Sequence, residues 1–230
     1  MKSRQQGFTL VEIAIVLVII GLLLGGILKG QEMITQAKIK NVIADFSGVS
    51  AAYHGYQDRY RAVPGDDPNA AGRWTIAPAA ISGSGNGVVA GTYNNACPAV
   101  SIITTPESCM WWDHLRRAGF VSGNGAQQPF NAVTGQIGVQ TGDNLGGAVL
   151  GAAGGAGGFS GLIICSANLP DKIATAVDTQ MDDGQRLSGS VRGQLNTAPN
   201  PAIVQDATTA PSAANYAETG TNIYTLCRAF

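Results

Sequence analysis

From Phe8 to Leu28 the chain reads FTLVEIAIVLVIIGLLLGGIL, an apolar run of 21 residues whose one charge is Glu12. As a helix it extends roughly 32 Å at about 1.5 Å per residue, enough to cross a bilayer. The pattern then changes. Ile39, Val42, Phe46, Val49, Tyr53, Tyr56 and Tyr60 recur at alternating spacings of three and four, the signature of one face of an amphipathic helix. Lys38, Lys40, Asp45, Asp58 and Arg59 fall off that stripe, and Pro64 and Gly65 end it. One helix from residue 8 to about 60 is therefore expected, half of it membrane-spanning and half laid against a globular domain. Two helices hinged at Gly30 are the alternative.

Beyond the turn at Pro64 the pattern weakens. Residues 69–105 are rich in Gly, Ala, Asn and Thr, with short apolar pieces at Val88-Val89 and at 100–103, and read as loops and short strands. ESCMWWDHLRRAGF, residues 107–120, places Met110, Trp111, Leu115 and Ala118 at helical spacing and predicts a short amphipathic helix ending at Gly119. Residues 146–161 are a glycine tract. They lack the Gly-Lys-Ser/Thr ending of a phosphate-cradling loop and read as a flexible or strand-edge segment. GLIICS, residues 161–166, reads as a buried strand, and Pro170 opens a helix through Ile173, Ala174, Val177 and Met181 that stops at Gly184.

Only 13% of the residues are charged, about half the usual share, and 31 are glycine, so the surface is neutral and polar. Formal net charge is −1; without the first seven residues, which hold Lys2 and Arg4 and no acid, 12 basic groups face 15 acidic ones. Nothing in this balance favours nucleic acid as a partner. The four cysteines, Cys97, Cys109, Cys165 and Cys227, all follow the apolar run and form an even set that an oxidising compartment would pair. Three connectivities are open. Cys97 with Cys109 and Cys165 with Cys227 is preferred, because the first pair closes a short loop; a zinc site would call for the C-x-x-C spacing that is absent.

The basic leader MKSRQQG leaves the N-terminus cytoplasmic and sends the remainder outward. A conventional secretory signal wants a shorter apolar core and a small-residue cleavage site after it, whereas KGQEMITQAK follows here, so the segment is expected to be retained. Glu12 is the anomaly. A carboxylate one turn inside an apolar helix costs about 2.5 kcal/mol on insertion scales and calls for a partner, although the helix dipole offsets part of that, about 0.3–1 kcal/mol.

Gly7-Phe8-Thr9-Leu10-Val11-Glu12, after a short basic leader and before an unbroken apolar run, resembles the class III signal of type IV prepilins and type II secretion pseudopilins. The resemblance implies that a prepilin peptidase cuts between Gly7 and Phe8 and methylates the Phe8 amine. It implies that Glu12 neutralises that amine on a neighbouring subunit as helices bundle into a filament. Ala14, Gly21, Gly25, Gly26 and Gly30 would permit close helix approach, and the glycines would let residues 21–30 unwind on assembly. One departure from many major pilins is the absence of proline between Phe8 and Ala62.

The stretch around residues 177–191, together with Cys227 near the end, is similar to the C-terminal part of a pilin-like subgroup with a cysteine close to the chain end, and some members of the family bind calcium in this part of the fold. Asp178, Asp182 and Asp183 are the candidate ligands, although their spacing is not an EF-hand and they suit a helix-end turn equally. No other cofactor is implied.

The architecture implied is an α+β pilin fold: leader 1–7, membrane and filament-core helix 8–28, amphipathic continuation 29–62, and a disulfide-stapled head 63–230 built on an antiparallel sheet. The partners implied are the chain itself or other pilins, the peptidase, the inner-membrane assembly machinery and the membrane. The precursor would sit in the inner membrane and the product in an extracellular filament. His54 and His114 stand near no nucleophile motif and read as solvated or packed, so no enzyme is expected. Minor pilin and pseudopilin are the alternatives within the resemblance, and a single-span anchored binding module is the alternative outside it.

Overall fold

The computed structural model describes residues 9–142, 146–151, 156–207 and 215–230. Helix α1 runs without interruption from Leu10 to Tyr60, through Gly21, Gly25, Gly26 and Gly30, so no hinge forms at Gly30. The chain divides into two compact units, Met1–Lys38 and Ile39–Phe230, and the boundary falls within α1. In the first unit the described apolar side chains are exposed, from Leu10 at 89% to Leu28 at 68%.

The second unit is α+β. Ile39, Val42, Phe46, Val49 and Tyr56 of the predicted stripe are buried in its core together with Ala52. Tyr53 and Tyr60 are half-buried against it, and Lys40, Asp58 and Arg59 stay outside. After α1 come α2 (Ala70–Arg73), α3 (Glu107–Arg117), β1 (Ile137–Thr141), β2 (Leu162–Pro170), α4 (Asp171–Met181), β3 (Val191–Leu195) and β4 (Ile223–Ala229). The four strands form one antiparallel sheet in the order β1-β2-β4-β3.

Both faces of the sheet are covered, which explains why β2 reads as an apolar run rather than as a clean alternation. Ile164, Tyr224 and Leu226 face a core shared with α1, α3 and α4. Ile163, Cys165, Ala167 and Cys227 face a second core closed by Tyr93, Leu150, Phe159 and Ile203 from the loops. The two faces alternate residue by residue along β2, as pleating requires. Between Ser166 and Leu169 the register shifts at a bulge where Asn168 adopts a φ of 56°.

The structure corrects the sequence in the middle of the chain. No strand forms over residues 69–105, neither at Val88-Val89 nor at 100–103. Val89 does enter the core, and its N–H donates to Thr141 Oγ1 at 2.9 Å, but Ile102 and Ile103 project outward, Ile103 at 89% exposure. Side chains and local backbone turn bonds, and not a ladder, satisfy this segment's backbone. Helix α3 is also more buried than a one-sided amphipathic helix: every residue from Glu107 to Leu115 is buried.

Candidate functional site

The first turn of α1 carries a reciprocal cap. Thr9 N–H and Thr9 Oγ1 both donate to Glu12 Oε2 at 2.8 Å, and Glu12 N–H donates back to Thr9 Oγ1 at 3.3 Å. This is a Thr-x-x-Glu capping box, legible as a motif but missed in reading Glu12 as a membrane anomaly. Glu12 Oε1 takes no partner among the described residues. Gly7 and Phe8, the expected processing residues, lie outside the described residues.

Along the exposed run, side chains added at Gly21, Gly25, Gly26 or Gly30 would meet nothing within 4 Å. Gly21 and Gly25, and again Gly26 and Gly30, stand four apart, so each pair opens a shallow notch on one helix face. An apolar surface of this extent is not stable in water. The helix is long and apolar enough to cross a membrane, and none of its most apolar window is buried within the protein.

Residues 2–28 carry the prokaryotic N-terminal methylation motif. That motif is the signal of type IV pilin and pseudopilin precursors, and it takes in the Gly7-Phe8 junction and Glu12. The chain is thus a precursor with a prepilin-type N-terminus and a membrane-length anchoring helix. No curated protein sequence matches the chain.

The head following this anchor is stapled twice. Cys97 is bonded to Cys109, which ties a loop to α3, and Cys165 to Cys227, which joins facing positions of the central strands β2 and β4. Residues 146–161, at the glycine tract, pair Val149 with Phe159 as an isolated antiparallel bridge, while 152–155 lie outside the described residues.

Asp178, Asp182 and Asp183 come together, with one oxygen of each within 4.8 Å of the others. Five of their six oxygens are already occupied. Asp178 accepts from Gly184 N–H at 3.1 Å and from the Tyr216 hydroxyl at 2.5 Å; Asp182 Oδ2 accepts from Ser190 and Val191 N–H; Asp183 accepts from Gln185 N–H and Ser188 Oγ. Only Asp182 Oδ1 takes no hydrogen bond among the described residues. Oxygen donors of this kind suit a hard cation, but as they stand they fasten the turn from α4 into β3. Burial pushes the Asp178 carboxyl up to about 6, helped by the neighbouring acids and opposed by its two donors. The Ser188 hydroxyl holds Asp183 below the usual carboxylate range.

A second ionisable cluster, which sequence reading missed, holds residues 64–91. Asp66 accepts from Ser84 Oγ and from the N–H groups of Gly85, Asn86 and Gly87. Glu107 accepts from Ser84 N–H at 2.7 Å and Ala90 N–H at 2.9 Å. Asp67 pairs with Arg73 and accepts from the Tyr56 hydroxyl at 2.6 Å, and the Arg73 guanidinium lies 4.7 Å from the Tyr60 ring centroid. His114 is fully buried between these groups: Nδ1 accepts from Gly65 N–H at 3.0 Å and Nε2 lies 2.8 Å from Ile81 O. Asp-Asp after Pro-Gly was the available signal, since such acids bind nearby backbone donors. His54, by contrast, is exposed on α1.

Proposed function

We propose that the chain is a structural subunit of a type IV pilus-like extracellular filament, cut after Gly7, methylated on Phe8, and polymerised through its apolar N-terminal helix. The observation that carries this reading is the conjunction, inside the matched motif, of an apolar helix exposed on every side with one carboxylate in its first turn. Among the described residues Glu12 Oε1 accepts no hydrogen bond. A methylated amine on a neighbouring helix would fill that position, and a charge pair buried in an apolar bundle fixes register, because a misplaced pair leaves both charges bare.

In this reading residues 1–7 are removed, 8–28 form the membrane anchor and then the filament core, 29–62 continue that helix into the head, and 63–230 form the filament surface. Lys2 and Arg4 in the leader support a cytoplasmic N-terminus, and the two disulfides support a head beyond the inner membrane, where disulfides form. The partners are further copies or other pilins, the prepilin peptidase and the assembly machinery. The protein acts as a substrate and a building block, not as an enzyme.

The deciding experiment is the intact mass and N-terminal sequence of the protein recovered from cells. A chain beginning at Phe8 with the mass of one added methyl group is expected. A chain still beginning at Met1 in cells with active peptidase would leave a single-span anchored module in its place. Recovery in the sheared surface fraction separates a pilus subunit from a secretion pseudopilin.

A further inference from the structure

The His114 ring bonds to both ends of one stretch of chain. Gly65 N–H, at its start, donates to Nδ1, and Ile81 O, near its end, faces Nε2. A backbone N–H is only a donor, so Nδ1 is the acceptor and Nε2 carries the proton: the buried ring is neutral. The ends also close on each other. Gly83 N–H donates to Asp67 O at 2.9 Å, and a side chain at Gly83 would collide with Gly65 O and the Asp66 Cα. Between these ends lie the short helix α2, a bond from Ala80 N–H back to Trp74 O at 2.9 Å, one from Ala71 N–H to Ser82 Oγ at 3.1 Å, and one from the Arg117 guanidinium to Pro78 O at 2.7 Å.

We propose that residues 65–83 form a strap clipped at both ends by His114, and that protonation of this ring releases the strap. A proton on Nδ1 would place two donors face to face and abolish the Gly65 bond. The charged groups around the ring are Asp113 and Arg117 on α3, Arg73 on α2, and Asp67 between Arg73 and the Tyr56 hydroxyl of α1, whose ring stacks 6.4 Å from His114. Burial first, and then the Arg117 and Arg73 charges, disfavour the imidazolium; the Ile81 carbonyl and Asp113 oppose them without reversing the direction. The closed strap therefore binds fewer protons than the open one. Its stability is complete above the ordinary histidine value of about 6.5 and is lost as pH falls below it. Glu107 on α3, outside the strap, grips Ser84 and Ala90 independently and bounds the opening on its C-terminal side, while Asp66, inside the strap, ties residues 84–87 to it.

The test is hydrogen exchange on the full chain in detergent micelles, with protection factors corrected for intrinsic exchange. From pH 7 to pH 5, an open-state value near 6.5 predicts a fall in protection of about 25-fold at Gly65, Ala80 and Gly83. Ile164 and Leu226 in the sheet keep theirs. His114→Gln retains a donor and an acceptor without a titrating charge, and its strap protection is expected to be flat with pH. No fall in the wild type, or an equal fall in the variant, overturns the proposal. Should the variant not fold, the wild-type ring resonances of His114 decide: ring protonation that tracks strap opening supports the proposal, and protonation with the strap still protected overturns it.

Discussion

Thr9 and Glu12 bond to each other in both directions across the first turn of α1, with two donors from Thr9 converging on Glu12 Oε2 at 2.8 Å. Glu12 thus has a local role before any neighbour arrives: it accepts the Thr9 N–H, while Thr9 Oγ1 accepts the Glu12 N–H, so the pair satisfies two of the donors at the helix start. The cap and the proposed intersubunit pair use different properties of one side chain, hydrogen-bond acceptance and charge, and can be separated.

Glu12→Gln keeps an acceptor for the cap and discards the charge; Glu12→Ala discards both. Loss of one partner from a buried pair costs about 3–5 kcal/mol. Both variants are therefore expected to be inserted normally and to lower the sheared filament fraction at least tenfold, measured by immunoblot. Wild-type filament yield from Glu12→Gln would assign Glu12 to capping and remove the charge pair from the assembly model.

The disulfides differ in the chain they close, 12 residues of separation for Cys97–Cys109 and 62 for Cys165–Cys227. Loop entropy alone gives about 3 and about 4 kcal/mol respectively. Paired replacement by alanine is expected to lower urea stability more for Cys165 and Cys227, which are also fully buried in the sheet, than for Cys97 and Cys109. The reverse order would show that the α3 tether, and not the sheet staple, dominates head stability.

How much of this architecture the sequence disclosed follows from where periodicity exists. The stripe from Ile39 to Tyr60, the strand at GLIICS and the helix after Pro170 each repeat a pattern over enough residues to be read. Strands β1, β3 and β4 were not anticipated. IGVQT and VRGQL are five residues each, and IYTLCRA is central and covered on both faces, so none shows a clean alternation. Residues 64–91 were opaque for a different reason: buried carboxylates at Asp66 and Glu107 organise them, and a lone acid in a sequence does not announce which backbone it will bind. At the N-terminus, Phe8 and Glu12 were conspicuous while the Thr9 cap was overlooked beside them.

Asp178 gives the head a distinct acid response. Its carboxyl is pushed up to about 6, mainly by burial, against about 3.9 in an unfolded chain. The folded state then holds the proton that the unfolded state has released. This contribution to stability is complete below pH 4 and is lost as pH rises through about 6. Thermal unfolding of wild type against Asp178→Asn should show the wild type losing ground across that interval. Parallel pH profiles would mean that Asp178 ionises at its ordinary value, despite its buried oxygens and the Tyr216 hydroxyl.

Gly65 is confined by φ 81° and by the Glu107 carbonyl, which a side chain at this position would strike. Gly65→Ala is expected to destabilise the head by roughly 2 kcal/mol or more, from the left-handed conformation and the collision together. Gly72→Ala, where a side chain meets nothing within 4 Å, is the matched control and should be neutral or slightly stabilising in denaturant titrations.

Gly21 and Gly25 raise the opposite case, because the folded single chain makes no use of their small size. Nothing lies within 4 Å of a side chain added at either position, and leucine is a better helix former than glycine by close to 1 kcal/mol. Gly21→Leu with Gly25→Leu should therefore leave helix content, membrane insertion and N-terminal processing intact. Small residues on a membrane-length helix matter only when another helix approaches closely. If this face is a filament-core contact, the double variant accumulates as processed subunit in the membrane and is depleted severalfold from sheared filaments. Normal filament yield would turn these glycines away from the core and leave assembly to the Leu, Ile and Val faces of the same helix.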